Sequence, residues 1–307
     1  MVRDASFRGM IITKAEPAKV HYGMPASEYH ADADGPRLSQ SLATLCVQKS
    51  PLHAWAAHPQ LGAHGWRYEP STDDGSLIHS LVLEPGSKDI QRFDLSDYRN
   101  KDGSVAQTMA NKEAKADWQA LLDAGRTPVM AEKLDAFTYK AKALRQSFEA
   151  AGVQFSGASE VVIYWTEQTQ HGPVDCRARL DHVIVDDGGV SIIDLKSIEE
   201  ASKRGITASC WRYGYDIQHA AYVRAAELAW PEHAGRVRMV FAFCELAKPY
   251  AVAPTELSGK FARMGEKRWE RGRDLWAWGL KNDDWRGYGR GTVEPPGWAE
   301  QEEMGDE

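Results

Sequence analysis

Two aspartates lie near each other in the stretch RLDHVIVDDGGVSIIDLKS, residues 179–197. Asp181 belongs to a first apolar run, a tight turn follows over 186–189, and a second apolar run leads to Asp194. A hairpin of this kind brings the two carboxylates together, where they are partly desolvated. Because like charges then repel, either one of them is protonated or a cation lies between them. Hard oxygen ligands suit Mg²⁺, and Mn²⁺ as a substitute.

A lysine completes this group. Lys196 follows Asp194 by two residues, so on a strand both side chains point to the same face. A lysine beside a metal can stabilise a developing anion or orient a water, which together with the carboxylates suits metal-assisted phosphodiester hydrolysis. The alternative is a plain surface ion pair, since Asp-x-Lys is a common triplet. The core-like apolar runs on either side favour the functional interpretation.

The elements that must position these groups follow from hydrophobic periodicity. Ser39 as an N-cap and Pro51 as a first helical residue predict two short helices, and the stretch 75–85 predicts a short buried helix that Pro85 stops. Runs of β-branched and aromatic residues predict strands. The strands are predicted over 159–167, 174–186, 189–197, 236–246 and 250–257, with further helices over 106–150, 199–230 and 259–281. This order predicts an α/β or α+β class, with helices packed on a mixed sheet.

Bulk properties narrow the class of protein. The 307 residues carry a net charge of -7, which disfavours nucleic-acid binding by bulk charge but allows local basic groups. No apolar run approaches a membrane span, and the N-terminus lacks a signal-peptide pattern, so we expect a cytoplasmic protein with no membrane partner. The four cysteines are far apart in sequence, which argues against a zinc ribbon or an iron–sulfur cluster: Cys46, Cys176, Cys210 and Cys244.

The opening stretch resembles the signature of PD-(D/E)XK nucleases. RLD, a hairpin and IIDLKS follow its order, although no proline precedes Asp181. The nearest branch contains RecB-type nuclease domains and the RecE-like phage exonuclease, exonuclease VIII. Gln218 and Tyr222 in DIQHAAYVRAAELAW share one helix face and look like the Q-x-x-x-Y motif of that branch. His79 in GSLIHSLVLEP matches its G-x-x-x-H-x-x-x-x-E context.

The resemblance implies roles for individual residues. The metal ligands would be His79, Asp181, Asp194 and the backbone carbonyl of Leu195. Lys196 would serve catalysis, and Gln218 and Tyr222 would hold the DNA strand or a water at the site.

Three further residues flank these positions. Glu160 begins SEVVIYW, which is similar to the first core strand of the family, so it would flank the site unless it is an ordinary surface glutamate. Alternation puts Arg177 and Arg179 on the face of Asp181. There either arginine reaches a DNA phosphate or forms a cross-strand ion pair.

The resemblance also implies a domain organisation and an activity. We expect an N-terminal helical elaboration over 1–70, a PD-(D/E)XK core over 71–295 and an acidic disordered tail over 296–307. The activity would be a magnesium-dependent exonuclease on linear double-stranded DNA, 5′ to 3′, leaving 3′ single strands for recombination. Its partners would be DNA ends, a RecT-like single-strand annealing recombinase and further copies of the chain in a ring.

Two alternatives stay open. The same fold could serve a restriction-type endonuclease, or the chain could be a non-catalytic DNA-end-binding protein with a decayed nuclease site. The predicted final helix carries a similar ambiguity. Its basic residues, such as Lys267 and Arg271, either steer duplex DNA or form a solvated face of ion pairs.

Overall fold

The computed structural model describes residues 17–296, with the exception of 64, 67, 68, 70 and 72. Apart from residue 296, the predicted acidic tail lies outside the described residues. So do the first 16 residues of the predicted N-terminal elaboration.

The centre of the molecule is a six-stranded mixed sheet with the order β1-β4-β5-β6-β7-β8. Its strands are β1 (Lys19–His21), β4 (Ala158–Thr169), β5 (Gly172–Asp186), β6 (Gly189–Ser197), β7 (Val237–Cys244) and β8 (Val252–Thr255). A separate parallel pair consists of β2 (Ile90–Phe93) and β3 (Thr127–Met130). The meander β4-β5-β6 is antiparallel, while β7 lies parallel to β6 and therefore needs a helical crossover.

Helices surround the sheet, and two of them form that crossover. They are α1 (Ala26–Ala31), α2 (Gln40–Gln48), α3 (Pro51–Ala57), α4 (Asp74–Leu83), α5 (Lys112–Asp123), α6 (Ala131–Ala150), α7 (Lys203–Tyr213), α8 (Tyr215–Ala229) and α9 (Gly259–Asn282). Short 3₁₀ turns occur at Leu95–Asp97 and Pro231–His233. The crossover from β6 to β7 runs through α7 and α8, and α8 packs across β4, β5 and β7.

The central strands are buried on both faces, which explains their nearly continuous apolar sequence. Along β6 and β7, Ile192 and Phe241 point into a core formed with α2, α8 and α9, whereas Ile193 and Ala242 point into a second core formed with α4 and α6. Helices therefore cover both faces of one mixed sheet. This architecture confirms the predicted α/β class, a central mixed sheet flanked by helices.

The described part of the predicted N-terminal elaboration belongs to the same structural unit as the sheet. Strand β1 pairs with β4, and Leu42 and Cys46 of α2 lie in the core shared with α8 and α9. All four cysteines are buried in one of the two cores. No helix within residues 17–296, the five omitted positions aside, is long and apolar enough to cross a membrane.

The long final helix differs from a simple basic strip. Trp269 and Trp276 are buried against the sheet, as an amphipathic helix requires. Arg268 also turns inward and binds the buried carboxylate of Asp216 with two hydrogen bonds of 2.8 and 2.7 Å. Arg273 similarly pairs with Glu167 at 2.9 Å. Among the six basic residues of its first four turns, these two therefore stabilise the fold and are withdrawn from solvent.

Candidate active site

The site forms where two neighbouring strands separate. His182 of β5 pairs with Ile193 of β6, so the next pair in the same register would be Asp181 with Asp194. The backbone ladder stops there, because the N–H of Leu195 donates instead to Asp181 Oδ2 at 2.9 Å. Beyond this point β6 continues beside β7 alone. The two aspartates thus face each other at the mouth of a split between strands, as the sequence predicts.

A third carboxylate, that of Glu160 on β4, lies beside the two aspartates and forms a row of acidic groups with them. Ser159 pairs with His182 and Val161 with Leu180, which sets Glu160 of β4 across from Asp181. The backbone of Glu160 has a φ of 55°. This left-handed conformation is uncommon for a residue with a side chain and is costly within a strand. Such strain is concentrated at functional sites, and here it falls on the residue that adds a third acidic group.

Asp194 is the most deeply buried member of the row, with no exposed surface. Its carboxylate forms an ion pair with Lys196 and accepts a hydrogen bond of 2.6 Å from Gln218 Nε2 of α8. Burial and the neighbouring charge of Asp181 raise the pKa of Asp194 to about 6, although Lys196 opposes the shift. The amide of Gln218 therefore orients Asp194 from behind, a contact that the Q-x-x-x-Y spacing alone does not reveal.

Lys196 stands between the carboxylates and an aromatic ring. Its ammonium lies 5.2 Å from the ring centroid of Tyr215, at the start of α8. Burial alone would lower the pKa of Lys196, but Asp194 and Asp181 raise it above its ordinary value. The residue is therefore a fixed cation that cannot serve as a base near neutral pH, and it remains able to stabilise negative charge.

His79 reaches these carboxylates from α4, which covers the face of the sheet opposite to α8. The side chain of Asp73 caps this helix by accepting from the N–H of Ser76 at 2.8 Å. His79 Nε2 lies 2.9 Å from Asp181 Oδ2, and Nδ1 lies 3.4 Å from Glu160 Oε1. Burial would lower the pKa of His79, but the charges of Asp181 and Glu160 raise it to about 9. At neutral pH the imidazolium compensates part of the acidic charge.

The two arginines of β5 occupy different environments on the same cavity wall. Arg179 forms an ion pair of 2.6 Å with Glu160, which is the cross-strand alternative from the sequence. Arg177 is buried and donates to the backbone carbonyl of Tyr29 in α1, with Asp32 3.8 Å away. Arg177 is thereby bound to the N-terminal segment, and this contact was not predicted.

Two cavities open onto these groups. The larger has a volume of about 730 Å³ and is lined by His79, Glu160, Asp181 and Tyr222, together with both arginines and residues from α1 and α2. The smaller, of about 250 Å³, lies beside Lys196, Leu195 and Tyr215, and it also touches His79. The site is therefore accessible from both sides of the aspartate pair. Tyr222 is buried, and burial raises its pKa well above the usual range, so its hydroxyl stays neutral.

The carboxylates of Asp181 and Asp194 and the imidazole of His79 are suitable ligands for a divalent cation. In the described part of the chain, no three histidine, cysteine or acidic side chains already form a complete metal-binding cluster. The positive groups of His79 and Lys196 lie against Asp181 and Asp194 and balance part of their charge. Opposed carboxylates with an adjacent imidazole are the donors that such a cation would bind in place of a proton.

Fold and site together define a protein of the PD-(D/E)XK nuclease superfamily. The chain belongs to the family described as a PDDEXK-like domain of unknown function, DUF3799, whose model matches residues 46–287. No curated protein matches the chain in sequence.

A solved structure from Eubacterium rectale, named "Putative exonuclease", has the same fold. It is 14% identical, with a TM-score of 0.50 over 91% of this chain and 97% of the other. SSO0001, at 12% identity, covers 62% of this chain and 81% of its own, with a TM-score of 0.26. Rai1 from Scheffersomyces stipitis, also at 12% identity, covers 75% and 66%, with a TM-score of 0.22.

Several residues at the site carry no sequence signal strong enough to single them out. Tyr215 is the first residue of the Q-x-x-x-Y helix and could have been found by asking which ring faces Lys196. Asp32 sits in an Asp-Gly-Pro-containing turn, ADADGPRLSQ, that resembles any surface loop. Its burial depends on contacts with Arg177 and His58, which are distant in sequence.

Proposed function

We propose that this protein is a divalent-metal-dependent nuclease that hydrolyses DNA, and that it acts as an exonuclease on linear double-stranded DNA. The observation that carries the proposal is that Asp181 and Asp194 lie opposite each other where β5 and β6 separate, with Lys196 in contact with the second carboxylate. Nucleases of this superfamily generally depend on divalent metals. A buried row of carboxylates without such a role would be costly to the fold.

In the proposed hydrolysis each of the site residues has a separate role. Asp181 and Asp194 would hold a Mg²⁺ ion, with His79 and the carbonyl of Leu195 as further ligands. When bound, the metal would supply Lewis-acid polarisation of the phosphate and would acidify a water. Gln218 keeps Asp194 in one orientation through its 2.6 Å hydrogen bond. Lys196, held as a cation, would stabilise the negative charge that develops on the phosphate.

Exonuclease action is supported by the helices that approach the site. His79 comes from α4, and Gln218 and Tyr222 come from α8, as in the RecE-like and RecB-type branches that the sequence resembles. We propose 5′ to 3′ digestion that leaves 3′ single strands for recombination. The proposed partners are a single-strand annealing recombinase and further copies of the chain in a ring.

The test uses linear duplex DNA labelled at either end, with a closed circular duplex of the same sequence as substrate control. With Mg²⁺ we expect loss of nucleotides from the ends of the linear DNA, an intact circle and no reaction in EDTA. Cutting of the circle would favour the restriction-type alternative. Absence of any cleavage, together with tight binding to DNA ends, would favour the non-catalytic alternative.

A further inference from the structure

We propose that two exposed rings, Trp211 and Tyr213, form a stacking surface for an unpaired DNA strand beside the active site. They lie at the corner between α7 and α8 and are 54% and 53% exposed. This inference rests on the proposed nuclease function, and it adds a binding surface for a single strand next to the smaller cavity.

Ring contacts connect Tyr213, at this corner, to the catalytic lysine. Tyr215 lies 5.2 Å from the ammonium of Lys196 and stacks on Tyr213, with ring centroids 5.8 Å apart and planes inclined by 30°. Tyr215 also stacks on the buried ring of Phe241, with ring centroids 5.5 Å apart. Two contacts, Lys196 with Tyr215 and Tyr215 with Tyr213, therefore lead from the lysine to the surface. A strand in the smaller cavity would next meet Tyr213.

Each of the two exposed rings packs against a residue that the fold itself holds in place. The guanidinium of Arg268 lies 4.6 Å from the ring centroid of Trp211, and Arg268 itself is bound by the buried carboxylate of Asp216. Gln48 of α2 donates to the backbone carbonyl of Trp211 at 3.1 Å. Tyr213 is held by its stacking contact with Tyr215. Rings that are fixed before binding lose little conformational entropy when a base stacks on them.

The corner itself is rigid for a backbone reason. Gly214 ends α7 with a φ of 70°, and a Cβ at this position would lie 2.8 Å from Cγ2 of Thr44. The left-handed conformation and the close approach to α2 both require glycine. The same residue begins α8, so the corner and the Q-x-x-x-Y helix move together.

Local charge suits a polynucleotide. The chain as a whole is acidic, with a net charge of -7, yet α7 has the sequence KRGITASCWRY and contains no carboxylate. Lys203, Arg204 and Arg212 supply its cations, although Arg204 pairs with Glu200 at 3.3 Å. Arg212 also lies 5.4 Å from the ring centroid of Tyr213. Aromatic rings interleaved with cations are typical of surfaces that bind single strands without sequence preference.

The test measures binding of a fluorescently labelled oligo(dT) strand in EDTA, where hydrolysis is excluded. Trp211→Ala and Tyr213→Ala should each weaken binding at least about fivefold, the lower end of what loss of one stacked base costs. Tyr213→Phe keeps the ring and should stay within about twofold of wild type. Tyr139→Ala is the matched control, since this tyrosine of α6 is 68% exposed.

Two results would overturn the stacking surface. One is equal affinity of Tyr213→Ala and Tyr139→Ala for the single strand. The other is an equal loss for oligo(dT) and for closed circular duplex, whose bases are paired and offer no free face. Cleavage of linear duplex by wild type in Mg²⁺ is measured in parallel. A nuclease that shows either result retains its proposed activity and lacks this surface, while ring-dependent binding without cleavage supports the surface and rejects the activity.

Discussion

Replacing Asp32 by asparagine tests how the N-terminal segment is fixed to the site. The carboxylate is 1% exposed and contacts Arg37 at 2.7 Å, His58 at 3.0 Å and Arg177 at 3.8 Å. Asparagine keeps the shape but removes the charge, and it presents an amide donor to groups that are themselves donors. Arg177 then remains buried without its counter-ion.

Removing one partner of a buried ion pair costs about 3–5 kcal/mol of unfolding free energy. With an unfolding entropy of about 2.1 cal/mol/K per residue, this lowers Tm by about 5–8 °C for a chain of this length. The matched control is Asp34→Asn, because Asp34 contacts the same Arg37 at 3.4 Å from an exposed position. Exposed pairs contribute about 0–1 kcal/mol, so the control should lower Tm by less than about 2 °C.

The difference between wild type and Asp32→Asn should also depend on pH. Burial would raise the pKa of Asp32, but His58, Arg177 and Arg37 hold it below the ordinary value of 3.8. A carboxyl whose folded pKa is depressed stabilises the fold above its unfolded pKa and loses that contribution as pH falls through the folded value. The Tm values of wild type and Asp32→Asn should therefore approach each other as pH falls below about 4. Equal Tm losses for Asp32→Asn and Asp34→Asn at pH 7 would refute the argument.

Three further predictions follow from the packing, the site and the final helix. Gly265→Ala places a methyl against the backbone of α8 and should lower the free energy of unfolding, measured in urea, by at least about 1–3 kcal/mol. Gly259→Ala is the control, because its methyl meets only a flexible arginine and should change that free energy by under about 1 kcal/mol. Asp194→Asn should weaken Mg²⁺ binding in calorimetry at least about tenfold and reduce cleavage with it, and unchanged magnesium dependence would place the metal elsewhere. Neutralising the exposed Lys267 and Arg271 should lower the salt slope of duplex binding in Ca²⁺ by about two units, while an unchanged slope would leave this helix to packing and solvation.

Much of the core was predictable because its strands are buried on both faces and therefore have long β-branched runs. The hairpin between β5 and β6 followed from the turn at 186–189, and it implied that Asp181 and Asp194 would be neighbours. Lys196 could be assigned to the same face by its spacing from Asp194. These inferences are local, since each needs only one or two elements and the period of a strand.

What escaped prediction depends on contacts between distant segments. The spacing of Gln218 predicted a helix face, but its hydrogen bond to Asp194 depends on how α8 packs against the sheet. Arg268 looked like a surface cation of α9, yet its partner Asp216 lies 52 residues earlier and is buried. The left-handed backbone of Glu160 has no sequence signature, because a glutamate in a β-branched run predicts an ordinary strand.

The most direct test of the central claim is cleavage of linear duplex DNA by Lys196→Ala under single-turnover conditions with Mg²⁺. Loss of a cation that stabilises the developing charge should slow cleavage at least about 100-fold, with DNA affinity little changed. A thermal melt verifies folding, and Lys115→Ala, an exposed lysine of α5, is the matched control with wild-type rates. Cleavage by folded Lys196→Ala within about threefold of wild type would contradict the assignment of this site.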